Sequence, residues 1–353
     1  MSVGNIYTDK PAFGLDIGSS TIKVMQIDAQ KNNLKITGYG AVSFEPQIME
    51  NGIIVDLEGM AKAIKSLFDN HLIGKITTKR VAMSLPTSRT YSRVLTLPKL
   101  SKKELQEAIK LEAEQYIPVP IDDLYIDFEN VGTSGENYDY FMVAIPKAIV
   151  DSYMQLSEIL GIEVSVLETT MNASSRLVSQ AEEISSASLF IDFGSVSADL
   201  TIYDGKPIVT GTVPGGGATF TNIIAQKLNV NERVATTIKS KYGLGVSKKQ
   251  KEINEALKPA LNTLIKEIKK MLRYYEDKTA GKSSIKQIVT LGGGANMPGL
   301  NDYLTSELRM PTRMCHPWTH ISFGKLQPTS DVEKTMYVTV AGLALINPKE
   351  VWK

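Results

Sequence analysis

Phe13-Gly14-Leu15-Asp16-Ile17-Gly18-Ser19-Ser20-Thr21 and Leu189-Phe190-Ile191-Asp192-Phe193-Gly194-Ser195-Val196-Ser197 are the same strand-and-turn pattern written twice. Asp192 stands 176 residues after Asp16, and Asp204 stands 176 after Asp28, so the two stretches align without a gap. Each has a β-rich run, an acidic residue at the turn, a glycine, small hydroxyl residues and a second β run. A third glycine turn, Ile288-Val289-Thr290-Leu291-Gly292-Gly293-Gly294-Ala295-Asn296-Met297-Pro298-Gly299, completes the set. Repetition of this kind predicts a duplicated α/β domain that grips a ligand where its halves face each other.

The turns themselves point to the ligand. A hairpin tip built from Gly, Ser and Thr can aim several N–H groups and hydroxyls at one anion, because glycine tolerates close approach. An aspartate at the same tip needs a cation between itself and a phosphate. Asp16 and Asp192 therefore read as carboxylates holding Mg²⁺, through water, since that ion keeps much of its hydration shell. Two such hairpins indicate a nucleoside polyphosphate. Two ordinary β-turns use the same residue types; the ordered set of three weighs against that alternative.

At 353 residues the chain can build two domains with substantial cores. Lysine plus arginine number 39 against 38 aspartate plus glutamate, a balance that gives no push towards nucleic acid. The single cysteine, Cys315, excludes an internal disulfide and fits a reducing cytoplasm. Met1–Lys10 lacks the apolar core of a signal peptide, and Val338–Ile346 is too short to cross a bilayer. A membrane role would need a partner to bring the chain there.

Strands are expected over 13–28 and 33–44 around a turn at Asn32-Asn33, and a helix over Leu57–His71. Ser101-Lys102-Lys103-Glu104 is a capping box that opens a helix stopped by Pro118 and Pro120. With strands on either side, residues of about 80–165 read as a compact βαββα insert. In the second half, Leu257, Leu261, Leu264, Ile265, Ile268, Leu272 and Tyr275 share one face of a long helix. Cys315-His316-Pro317-Trp318-Thr319-His320 reads as a loop and not a metal site, because Pro317 breaks the helix that two histidines four apart would need. Lys248-Lys249-Gln250-Lys251 reads as a solvated helix start.

Taken in order, Gly14–Val24, Val166–Leu177, Leu189–Thr201, Ile288–Gly299 and Tyr337–Ile346 resemble the five nucleotide-site motifs of the actin, Hsp70 and sugar-kinase superfamily. The insert looks like the rearranged subdomain of FtsA. Within it, Glu112-Ala113-Glu114-Gln115-Tyr116-Ile117-Pro118-Val119-Pro120, followed by Asp127-Phe128, closely resembles the PilM family of type IV pilus machinery. The likeness runs over essentially the whole chain, and the Glu112–Pro120 run is its most specific part.

The resemblance implies a duplicated actin/Hsp70-like, ribonuclease H-like, two-domain α/β fold with an FtsA-type α+β insert. A first domain over 11–185, a second over 186–335 with a helical subdomain at about 218–286, and a returning helix over 336–353 follow from it. It also implies site roles. Gly18, Ser19, Ser20 and Thr21 match the first phosphate loop, and Lys23 the lysine that reaches the phosphates; an exposed edge-strand lysine is the alternative. Gly194, Ser195 and Ser197 match the second loop, with Gly216 and Gly217 the pair that lets backbone approach phosphate. Gly293, Gly294 and Asn296 match the adenosine loop. Glu267 and Lys270 match helix positions that reach ribose and adenine, with Tyr274 or Arg273 in play if the register slips by one. Asp16 and Asp192 match the Mg²⁺-organising carboxylates, and Glu168 falls where an attacking water is oriented.

The cofactors so implied are ATP and Mg²⁺, bound tightly and hydrolysed slowly at most. The implied role is a scaffold at the inner face of the cytoplasmic membrane, recruited by the cytoplasmic N-terminal peptide of PilN, with pilus assembly ATPases as further partners and homo-oligomers left open. An extended peptide would be captured between the insert and the first domain. Two alternatives stand beside it: an FtsA-like filament-forming cell-division ATPase, and a small-molecule kinase of the same superfamily.

Overall fold

The computed structural model describes residues 11–30, 33–182 and 184–346. Met1–Lys10, Asn32 of the expected turn and the tail from Asn347 lie outside them. The chain opens with strands β1 (Phe13–Ile17), β2 (Thr21–Gln30) and β3 (Asn33–Ser43), then helix α1 (Leu57–Ser66) and β4 (Arg80–Leu85). Next come β5 (Tyr91–Leu97), α2 (Lys102–Glu114), β6 (Leu124–Ser134) and β7 (Asn137–Pro146). Helix α3 (Lys147–Leu160), β8 (Glu163–Thr169) and α4 (Thr170–Ala181) close the first half. The second half runs β9 (Ser188–Phe193), β10 (Ser197–Tyr203), β11 (Pro207–Pro214), α5 (Gly217–Leu228), α6 (Glu232–Lys241) and α7 (Gln250–Lys278). It ends with β12 (Gln287–Leu291), α8 (Leu300–Leu308), β13 (Thr312–Met314) and α9 (Val338–Ala344).

Two sheets carry the duplication. The first has the order β8-β4-β1-β2-β3, extended by short strands beyond β3; the second is β11-β10-β9-β12-β13. β1 pairs antiparallel with β2 and parallel with β4, as β9 does with β10 and β12. Even the hairpin closure repeats: the Gly18 amide donates to the Thr21 carbonyl and the Gly194 amide to the Ser197 carbonyl, both at 2.9 Å.

The insert is smaller than the 80–165 expected. Its own sheet is β5-β7-β6, covered by α2 through Leu105, Ile109 and Ala113. β4 instead lies between β1 and β8 in the first sheet, parallel to both. All six of its residues are buried, as a strand covered on both faces requires. α3 likewise sends Ile149, Tyr153 and Leu156 into the first half's core. The capping box at Ser101 and Glu104 forms as read, with reciprocal bonds.

A third core joins the halves. It mixes Met25 and Ile27 with Phe190, Val289 and Leu291 through Met171 of α4 and Val338, Val340 and Ala341 of α9. α4 and α9 cross almost in backbone contact: a Cβ on Gly342 would stand 1.9 Å from the Ala173 carbonyl oxygen. Ser174 and Thr339 share a hydrogen bond of 2.9 Å at the same crossing. Among the described residues no helix is long and apolar enough to cross a membrane.

Candidate functional site: a cleft between the two hairpins

The tips of the β1–β2 and β9–β10 hairpins face one cavity of about 690 Å³, within the range of small-molecule sites. Gly18 to Thr21, Lys23, Gly194, Ser195 and Ser197 all line it, with Asp16 and Asp192. Lys23 is not an exposed edge lysine. Across the hairpin it stands opposite Asp16, and its Nζ donates to Asp16 Oδ2 at 2.9 Å. Both residues are buried, at 7% and 5% exposure. Ser84 at the end of β4 donates to the other oxygen at 2.7 Å. Asp16 is thus fixed on both sides.

The second hairpin answers with a different pair. The residue opposite Asp192 is Asp199, the counterpart of Lys23 in the repeat. Two carboxyl groups therefore share the inner face. Burial, then the neighbouring Asp199 and Asp16 charges, raise Asp192 to about 7, with Lys23 acting against them. Burial also raises Asp199 to about 6, opposed by the hydrogen bond it accepts from Thr212 at 2.6 Å. Sequence reading missed Asp199; its place seven residues after Asp192, like Lys23 after Asp16, was the available signal.

This electrostatic strain has a pH signature. Both folded-state values lie above the ordinary carboxylate range, so the fold holds more protons than the unfolded chain between about pH 4 and 7. The resulting stability is full below that window and lost as pH rises through it. Asp199→Asn keeps an acceptor for Thr212 and removes the charge. It is expected to raise the melting temperature at pH 8 by about 2–4 °C and by less at pH 5, which lies inside that window. Thermal melts at the two pH values check this.

Among the described residues no three His, Cys, Asp or Glu side chains gather closely enough to clasp an ion by themselves. Asp16, Asp192 and Asp199 fit the alternative, a hydrated Mg²⁺ reached through its waters. Gly292 shows how tightly that floor is built. It adopts φ +81°, and a Cβ there would fall 2.2 Å from Asp192 Oδ1.

Several expected contacts are redistributed. Gly216 is consumed by packing: a Cβ on it would meet the Gly194 carbonyl oxygen at 2.4 Å. The amides of Gly217 and Ala218 donate to the carbonyls of Gly194 and Ser195 at 2.9 and 2.8 Å. They brace the second hairpin, while Gly217, Ala218 and Thr221 still line the cleft. Gly293 and Gly294 line it too. Asn296 does not; its amide nitrogen donates to Val332 O and Thr335 Oγ1 and so holds the segment that brings Met336 to the cavity.

Glu267, Lys270 and Tyr274 stand off the cleft. Glu267 and Lys270 form an i,i+3 pair on the solvent side of α7, with the Lys270 side chain 76% exposed, and Tyr274 is exposed. Helix α6 supplies that wall instead, through Glu232, Thr236 and Lys239 on one face. Lys239 donates to the Gly217 carbonyl at 2.6 Å, and burial lowers its pKa. The long apolar period of α7 identified a helix but not the face turned to a ligand.

Glu168 is the clearest correction. Both of its oxygens accept from Arg176, at 2.7 and 2.6 Å, and Arg176 also donates to the Gly342 carbonyl. Glu168 does not line the cleft, and the bidentate fork turns its carboxylate towards Arg176. Its work is to tie β8 and α4 to α9.

A duplicated sheet pair, twin hairpins and a glycine floor around one polar cleft define an actin-like two-domain protein. More narrowly, the chain belongs to the family of type IV pilus assembly protein PilM, whose family model matches residues 14–347. A solved PilM–PilN type IV pilus biogenesis complex contains a chain superposing with a TM-score of 0.81 at 24% identity, over 95% of this chain and 98% of that one. MreB5 of Spiroplasma citri bound to ADP superposes with a TM-score of 0.57 at 13% identity, over 98% of each chain. The cell division protein FtsA of Borreliella burgdorferi is 25% identical over 359 residues, covering 88% of this chain and 86% of its own.

Proposed function

We propose that the cleft holds Mg²⁺ and ATP, and that the bound nucleotide rigidifies a cytoplasmic scaffold of the type IV pilus inner-membrane platform. The observation that carries this reading is the pair of facing hairpins, with Asp16, Asp192 and Asp199 gathered on their inner surfaces. In this reading Ser19, Ser20, Thr21, Ser195 and Ser197 bind phosphate. Gly293 and Gly294 take the nucleoside, and Lys23 balances charge between Asp16 and the phosphates. Glu168 locked to Arg176 supports slow turnover, since phosphoryl transfer to water needs a group that positions that water.

Family membership supports recruitment by the N-terminal peptide of PilN, as does the solved PilM–PilN complex. The insert offers a strand edge for an extended segment, because β6 is the outer strand of its sheet. Mass spectrometry of the supernatant after denaturing the purified protein is expected to return ATP in preference to ADP. Calorimetry with the PilN peptide is expected to register binding that strengthens when Mg²⁺ and ATP are present. An empty protein that takes up neither nucleotide nor peptide defeats the proposal.

A further inference from the structure

The duplication fixes an order across the cleft. β12 lies beside β9 and its exit carries Gly292 to Gly294; β4 lies beside β1 and its exit carries Pro86 to Arg89. Both exits line the cavity, with the two hairpins between them. Were a nucleoside seated on Gly293 and Gly294, its phosphate chain would run between the hairpins towards the β4 exit, where Arg89 lines the cavity.

Arg89 is built for a removable partner. Its Nη2 donates to Asn51 Oδ1 at 2.7 Å, a neutral acceptor. Arg80, Arg176 and Arg313 each pair with a glutamate; among the described residues Arg89 pairs with no carboxylate. Its base is fixed while its head is exposed. The Arg89 amide donates to Pro86 O at 3.0 Å, and Thr87 Oγ1 accepts from the Met171 amide at 3.1 Å. Room for the arm comes from Gly52 at φ +86°, where a Cβ would approach Arg89 Cγ to 3.2 Å.

We propose that Arg89 reads the terminal phosphate of the bound nucleotide, exchanging Asn51 for a phosphate oxygen and so distinguishing a triphosphate from a diphosphate. The inference rests on the nucleotide reading of the cleft. An anionic acceptor makes a bond to guanidinium roughly twice as strong as a neutral one, and the planar fork suits phosphate.

The test is calorimetric titration of the full chain with ATP and with ADP, each with Mg²⁺. The native protein is expected to prefer ATP by at least about tenfold. Arg89→Gln is expected to weaken ATP about 10–100-fold while ADP affinity stays as it was, and Arg89→Lys to recover part of the preference. Equal affinities in the native protein, an unchanged preference in Arg89→Gln, or an equal fall for both nucleotides each overturns the assignment. A native protein that binds neither nucleotide overturns the reading of the cleft as well.

Discussion

Lys23→Met is expected to unfold in urea with about 3–5 kcal/mol less stability than the native chain, and to lose Mg²⁺–ATP binding by more than about 100-fold. The first effect follows from burial. Asp16 would keep only the Ser84 hydroxyl, while its other oxygen would lose its cation in a largely desolvated place. Removing one partner of a buried pair costs more than the pair contributes, because the remaining charge stays desolvated. The double variant Asp16→Asn, Lys23→Met separates the two effects. It removes both charges at similar volume, so most of the stability should return while nucleotide binding stays lost. Chemical unfolding together with calorimetry measures both quantities. A cost below about 1 kcal/mol for Lys23→Met alone is incompatible with a buried pair.

The second large effect is expected at the crossing of α4 and α9. Gly342→Ala adds one carbon that would sit 1.9 Å from Ala173 O and 2.5 Å from its carbonyl carbon. Both clashing atoms are backbone, so no side-chain rotation relieves them and α9 must move as a body. That motion would strain the Arg176 bond to Gly342 O and the Ser174–Thr339 bond. It would also press on Gly14 of β1, where a Cβ would already meet Val340 O at 2.4 Å. Overpacking of this kind costs about 3 kcal/mol or more when backbone carries it. Differential scanning fluorimetry should show a fall of several degrees. A melting temperature within about 1 °C of native would mean that the two helices are not in this contact.

The same crossing bears on function. The core shared by Met25, Phe190, Met171 and Val340 draws on both halves, so the halves and the cleft between them are positioned together. A looser crossing should therefore weaken nucleotide binding without any change in the cleft residues. That loss of pre-organisation distinguishes Gly342→Ala from a variant that removes a ligand contact.

Much of the cleft was legible because its signals are local. A hairpin tip of Asp, Gly and Ser depends on a few consecutive residues, and the 176-residue spacing placed two tips in equivalent positions before any contact was known. Asp16, Ser19, Asp192, Ser195 and Gly293 accordingly line one cleft. The insert was legible as a unit but not in its limits. Nothing in Arg80–Leu85 says whether it pairs with the strand that follows or with β1, which is separated from it by more than 60 residues.

What the sequence determined by itself was the duplicated α/β plan, the two hairpin tips, the glycine floor and the capped helix of the insert. Each follows from backbone rules acting over a handful of residues, so each survives without knowledge of the partner surface. Tertiary structure alone decided which polar groups are free to act. It spent Glu168 on Arg176 and Asn296 on Thr335, turned Glu267 and Lys270 to solvent, and brought Asp199, Lys239 and Arg89 to the cleft. A charged side chain takes its role from the groups that reach it in space, and those come from elements far away along the chain.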